Sequence, residues 1–149
     1  MKPQFPDDGH KVAIYATANG KYLKLPNGEG QVIANGASPQ DPACVFVWQN
    51  DGILRSQSDP AIYLGYQPGI PLLYAGASDT SVPFSGELLA PTDQPPAGYA
   101  MVVQVISGDF GNRFWQCAKS LGGAISLTEH NPGTPPFGDP CLFVWIDAS

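Results

Sequence analysis

The chain has 149 residues, a formal net charge of −6 and only 13% charged residues. Its 17 glycines and 16 prolines break helix interiors and exclude a helical bundle, while 43% hydrophobic and 11% aromatic residues exclude a disordered chain. The acidic balance argues against nucleic acid and anionic membrane surfaces as partners, both of which need a basic face, and no apolar run reaches the ~18 residues of a membrane span.

What remains is an all-β domain of many short strands. In chain order, Val12 to Tyr15 and Tyr22 to Leu25 read as strands flanking Asn19-Gly20, a hairpin turn. After Pro26-Asn27-Gly28-Glu29-Gly30, a third strand is expected over Gln31 to Ala34, ended by Asn35-Gly36. Asp41-Pro42 leads into a fourth, Cys44 to Gln49, with Cys44, Phe46 and Trp48 on one face and Val45 and Val47 on the other. Two apolar faces predict burial on both sides. Next come Gly52 to Ser56, a turn at Ser58-Asp59-Pro60, Ile62 to Tyr66, Leu72 to Ala75 and a weaker strand from Phe84 to Leu89. Pro91 to Pro96 is a loop by composition. Beyond it, strands are predicted over Met101 to Ile106, Arg113 to Cys117, Ala124 to Thr128 and Cys141 to Ile146, with turns at Gly108 to Asn112 and a long loop over Glu129 to Pro140.

The chain echoes itself. Asp41-Pro42-Ala43-Cys44-Val45-Phe46-Val47-Trp48 matches Asp139-Pro140-Cys141-Leu142-Phe143-Val144-Trp145 at six of eight positions, with one residue inserted after the proline. Val32-Ile33-Ala34-Asn35-Gly36-Ala37-Ser38 resembles the segment from Leu72 to Ser78, 40 residues on. An aromatic motif occurs three times, at Lys21-Tyr22-Leu23-Lys24-Leu25, Ile62-Tyr63-Leu64-Gly65-Tyr66 and Arg113-Phe114-Trp115-Gln116-Cys117. These echoes divide one domain, 1–149, into three units near 11–49, 50–92 and 98–147.

Three units of four short strands resemble a β-trefoil, in which six strands form a barrel and six form a cap of hairpins with pseudo-threefold symmetry. Thr17-Ala18-Asn19-Gly20-Lys21-Tyr22-Leu23 and the run from Gln31 to Val47 are similar to fascin-type units. Phe-Val-Trp at 46–48 and 143–145 stands where ricin-B-like lectins carry Gln-x-Trp, with phenylalanine in place of the glutamine and no tryptophan in the second unit. The resemblance implies a sugar-binding domain, but the replaced motif argues against a ricin-type galactose site.

Catalytic chemistry is hard to find. The two histidines, His10 and His130, lie far apart, without zinc-binding spacing. No serine sits in a nucleophile elbow, and no glycine-rich loop has phosphate-binding spacing. Asp41, Asp51, Asp59, Asp109 and Asp139 stand near glycine or proline, where aspartate makes turns. Cys44 and Cys141 hold equivalent places and read as small core residues; a bridge between them is the alternative. No catalytic residue, metal ligand or cofactor is therefore expected.

A sugar site needs an apolar ring face together with fixed donors and acceptors. The third unit concentrates both in Asp109, Asn112, Arg113, Trp115 and Gln116, with Glu129, His130 and Asn131 on the following loop. By match to Tyr22 and Tyr63, Phe114 is assigned to the core, which turns Trp115 outward; the competing reading packs Trp115 beneath the 129–140 loop. The expected function is non-catalytic carbohydrate binding, with glycans of glycoproteins or glycolipids as partners, no membrane insertion and a homodimer admissible. The first residues lack a secretory signal, so a cytoplasmic location or release without a signal peptide is expected. The alternative is protein binding, as a protease inhibitor or a toxin or defence component, through Gln67 to Pro71 or Asn131 to Gly138.

Overall fold

The computed structural model describes residues 9–26, 29–49, 52–59, 61–67, 69–77, 79, 81–91, 98–105, 111, 113–118, 122–127 and 142–147. Among them the chain forms β1 (His10–Ala16), β2 (Lys21–Lys24), β3 (Gly30–Gln31), β4 (Ile33–Gly36), β5 (Val45–Trp48), β6 (Leu54–Ser56) and β7 (Tyr63–Gly65). It continues with β8 (Tyr74–Gly76), β9 (Phe84–Pro91), β10 (Tyr99–Val105), β11 (Trp115–Ala118), β12 (Ala124–Leu127) and β13 (Phe143–Asp147). The fold is all-β, and these strands join in one antiparallel sheet.

Six strands close into a ring. β1 pairs with both β5 and β13, β5 with β6, and β10 with both β9 and β13. The remaining gap is bridged where the Phe84 N–H, at the start of β9, donates to the Gly52 carbonyl just ahead of β6 at 2.8 Å. Gly52 has φ +89°, and a Cβ placed there would lie 2.6 Å from the Phe84 carbonyl oxygen, so glycine is what lets the two chains touch. Period-two alternation then fills the ring with Val12 and Ile14, Phe46 and Trp48, Met101 and Val103, and Phe143 and Trp145.

The other strands pair as hairpins over the ring: β2 with β4, β7 with β8 and β11 with β12. Neighbouring hairpins join through β3–β8, through Ala124↔Ile33 and through the bridge Leu72↔Ser126. At their meeting point the Val32 N–H donates to the Leu73 carbonyl at 2.9 Å, and the Leu73 N–H to the Ile125 carbonyl at 2.8 Å. All three side chains are fully buried.

Several strand boundaries differ from expectation, and three of the differences have a visible cause. The predicted strand over Gln31 to Ala34 is split at Val32, because the chain changes partners there: Gln31 faces Tyr74, whereas Ile33 faces Lys24 and Ala124. Asn35 and Gly36 continue β4 rather than ending it, since Gly36 pairs with Tyr22. Cys44 closes a 3₁₀ turn (Pro42–Cys44) rather than opening a strand. The Asp41 carboxylate accepts the Ala43 N–H at 3.0 Å and Pro42 supplies a pre-set φ, a strong local start signal. β5 is buried along its whole length, as its two apolar faces required.

Candidate ligand-binding site

The repeated aromatic motif decides which side chains of the third unit face outward. Leu23, Leu64 and Trp115 occupy the same place in the three copies and are each 0% exposed, while Tyr22, Tyr63 and Phe114 are half-buried. The expectation that Trp115 faces outward is therefore wrong: Trp115 belongs to the core. Its ring meets Phe84 edge to face at 5.1 Å and Phe143 at 5.6 Å. The physical reason is that tyrosine combines an apolar body with a polar tip and sits at the boundary, so the leucines, not the tyrosines, report the core phase. Burial pushes the Tyr66 phenol far above its ordinary range, an effect the neighbouring Trp115 indole partly offsets.

Of the other predicted site residues, Arg113 and Gln116 are half-buried and retain access to solvent. The Arg113 carbonyl accepts the Val105 N–H at 2.9 Å, and the Gln116 carbonyl accepts the Ser126 hydroxyl at 3.2 Å, so the backbone beneath both side chains is fixed. Asp109, Asn112, Glu129, His130 and Asn131 lie outside the described residues, as does Cys141.

A cleft of about 340 Å³ opens elsewhere, between the end of β2 and the turn joining β6 to β7. Leu25, Pro26, Ala43 and Ile62 give it apolar surface; Lys24, Ser56, Ser58 and Asp59 give it polar groups. Two backbone bonds set the walls: Leu25 N–H to the Ala43 carbonyl at 2.8 Å, and Ser56 N–H to the Ile62 carbonyl at 2.8 Å. Lys24 Nζ lies 3.6 Å from Asp41 Oδ2. Ser56 is only 1% exposed; its hydroxyl accepts the Asp59 N–H at 3.0 Å and shares a 3.2 Å bond with the Ser58 hydroxyl. Asp59 Oδ1 accepts the Ala61 N–H at 3.1 Å.

The sequence conceals this cleft because Ser58-Asp59-Pro60 carries only the signature of a turn. The available clue was Lys24, a cation at an outward position where the other units carry Gly65 and Gln116.

Cys44 is a buried free thiol behind Asp41 and packs its sulfur against Gly36. Burial, reinforced by the Asp41 carboxylate and opposed by Lys24, pushes this thiol up to about 11, which keeps it protonated and poorly nucleophilic at neutral pH. Among the described residues no group of three or more His, Cys, Asp and Glu could hold a metal ion, and no helix is long and apolar enough to cross a membrane.

Compared with protein-family models and with curated proteins, the sequence matches none. Its fold does match a solved structure, the ricin B-like lectin of Macrolepiota procera in complex with lactose, with a TM-score of 0.63 and 16% sequence identity. The match covers 95% of this chain and 98% of that one, so the two share an all-β fold from end to end.

Proposed function

We propose that the chain is a single β-trefoil domain that binds glycans and performs no catalysis. The six-stranded ring, the three joined hairpins and the recurring core positions Leu23, Leu64 and Trp115 support three units near 11–49, 50–92 and 98–147. The observation that carries the functional reading is the end-to-end likeness to a lectin solved with lactose; as a fold likeness it supports the class of ligand and not a particular sugar. On this reading the third-unit surface contributes Arg113 and Gln116, and the sequence offers Asp109, Asn112, Glu129, His130 and Asn131 as further candidates. Trp115 supports that surface from beneath rather than touching sugar.

A glycan array probed with the purified protein tests this. Retention of at least one glycan, reversed by the soluble sugar, is the expected result. A blank array at high protein concentration overturns the reading. Loss of that glycan in Arg113→Ala/Gln116→Ala would assign it to the third unit.

One observation favours protein binding as the second reading. Ile70 is a large apolar residue that is 43% exposed, on a turn closed by the Ile70 N–H to the Gln67 carbonyl at 3.1 Å, with Gly69 at φ +75°. A turn closed by its own backbone hydrogen bond and presenting an apolar side chain has less ordering to lose on docking. Inhibition of serine or cysteine proteases that is lost in Ile70→Asp would establish it.

A further inference from the structure

We infer that the cleft between β2 and the β6–β7 turn is a separate binding site that takes a neutral sugar ring. The class of ligand rests on the glycan-binding reading; the location does not depend on the third-unit surface.

The argument starts from what the cleft offers. Its volume of about 340 Å³ lies at the small end of ligand pockets, which run from about 300 to 1,000 Å³, a size for one or two sugar rings. Its polar groups are of mixed kind. The Lys24 ammonium, paired with Asp41 outside the lining, can only donate, the Asp59 carboxylate can only accept, and the Ser58 hydroxyl does both. An anion would meet the Asp59 carboxylate and a single ammonium already paired with Asp41. A cation would meet that ammonium. A neutral ring bearing adjacent hydroxyls satisfies donors and acceptors together, while its C–H face covers Leu25 and Ile62.

The polar groups are also held in advance. Asp59 is fixed by two bonds, its N–H on the buried Ser56 hydroxyl and its Oδ1 on the Ala61 N–H. Asp41 is fixed as the cap of the 3₁₀ turn, and Lys24 leans on it at 3.6 Å. The heads of Lys24 and Asp41 nonetheless stay open, with side chains 42% and 36% exposed. Groups held in place by their own backbone bonds bind without a large ordering cost. The site belongs to the junction of the first two units alone, because Gly65 and Gln116 stand where Lys24 does.

The test is a titration of ¹⁵N-labelled protein with the methyl glycosides of glucose, galactose, mannose and N-acetylglucosamine, followed by amide shifts. We expect saturable shifts at Ala43, Ser58, Asp59 and Ile62 with at least one glycoside. Affinity should fall at least tenfold in Lys24→Met and in Asp59→Asn, which keep the side-chain stem and an oxygen for Ala61. It should not change in Lys11→Met, an exposed lysine on β1, nor on raising NaCl to ~0.5 M, since a neutral ligand has no ionic attraction to screen. Shifts confined to other residues would overturn the cleft and leave the lectin reading standing. Binding restricted to sialylated or sulfated glycans, lost in high salt, would overturn the neutral class. A blank glycan array together with no shifts would overturn both readings.

Discussion

Trp48 and Trp145 meet edge to face with ring centroids 5.6 Å apart. They close the two matching segments at 41–48 and 139–145, so residues almost a hundred positions apart in sequence share one piece of core. Both strands flank β1 in the ring, one on each side, which brings the rings together. Replacing either tryptophan by alanine should cost roughly 3–5 kcal/mol through lost packing and an unfilled cavity. Urea unfolding would measure it; a change under ~1 kcal/mol would contradict the contact's role.

Gly52 carries the closure between β6 and β9. Gly52→Ala forces a side chain into a positive-φ position and against the Phe84 carbonyl. The expected loss is about 1–3 kcal/mol, with a lower Tm. Gly69→Ala is the informative comparison: it has φ +75° but nothing within 4 Å, so it should show the backbone cost alone.

All three tryptophans, Trp48, Trp115 and Trp145, are buried. Native fluorescence should therefore be blue-shifted and resist acrylamide quenching, and sugar should leave it nearly unchanged. Trp115→Phe keeps an aromatic ring between Phe84 and Phe143 and should cost less than Trp115→Ala, which should lose roughly 3–5 kcal/mol. A readily quenched tryptophan that Trp115→Phe abolishes would contradict its place in the core.

The thiols give a pH-dependent test. Cys44 and Cys117 are buried, and Cys44 titrates at about 11 rather than near 9. At pH 8 a thiol reagent should leave both unlabelled in the native protein and react with all three cysteines after denaturation. The folded state holds its Cys44 proton where the unfolded chain releases it. Stability from this group is thus complete below pH ~9 and lost as pH rises through 11. Tyr66, raised by burial, acts in the same direction, so denaturant midpoints should fall on the alkaline side.

Much of the fold was legible because its signals are local. Asn19-Gly20 marked the β1–β2 turn, Asp41-Pro42 announced the entry to β5, and the Phe-Val-Trp copies located two equivalent strands. The split at Val32 was not legible, since it arises from a change of partner, from β8 to β2 and β12. The phase at Trp115 is misleading in sequence because the half-buried tyrosines of the earlier copies look like core markers, whereas their leucine neighbours hold the core. The cleft was invisible for a different reason. Lys24 and Asp59 are 35 positions apart, and only the packing of the β2 end against the β6–β7 turn places them together.

The position of β13 has a consequence for synthesis. β13 lies between β1 and β10, so the ring cannot close until residue 147 has left the ribosome. Until then β1 presents an unpaired edge to its surroundings, and pairing between chain ends is slow because so long a loop must close first. Removing β13 would leave an open, adhesive sheet rather than a slightly smaller ring.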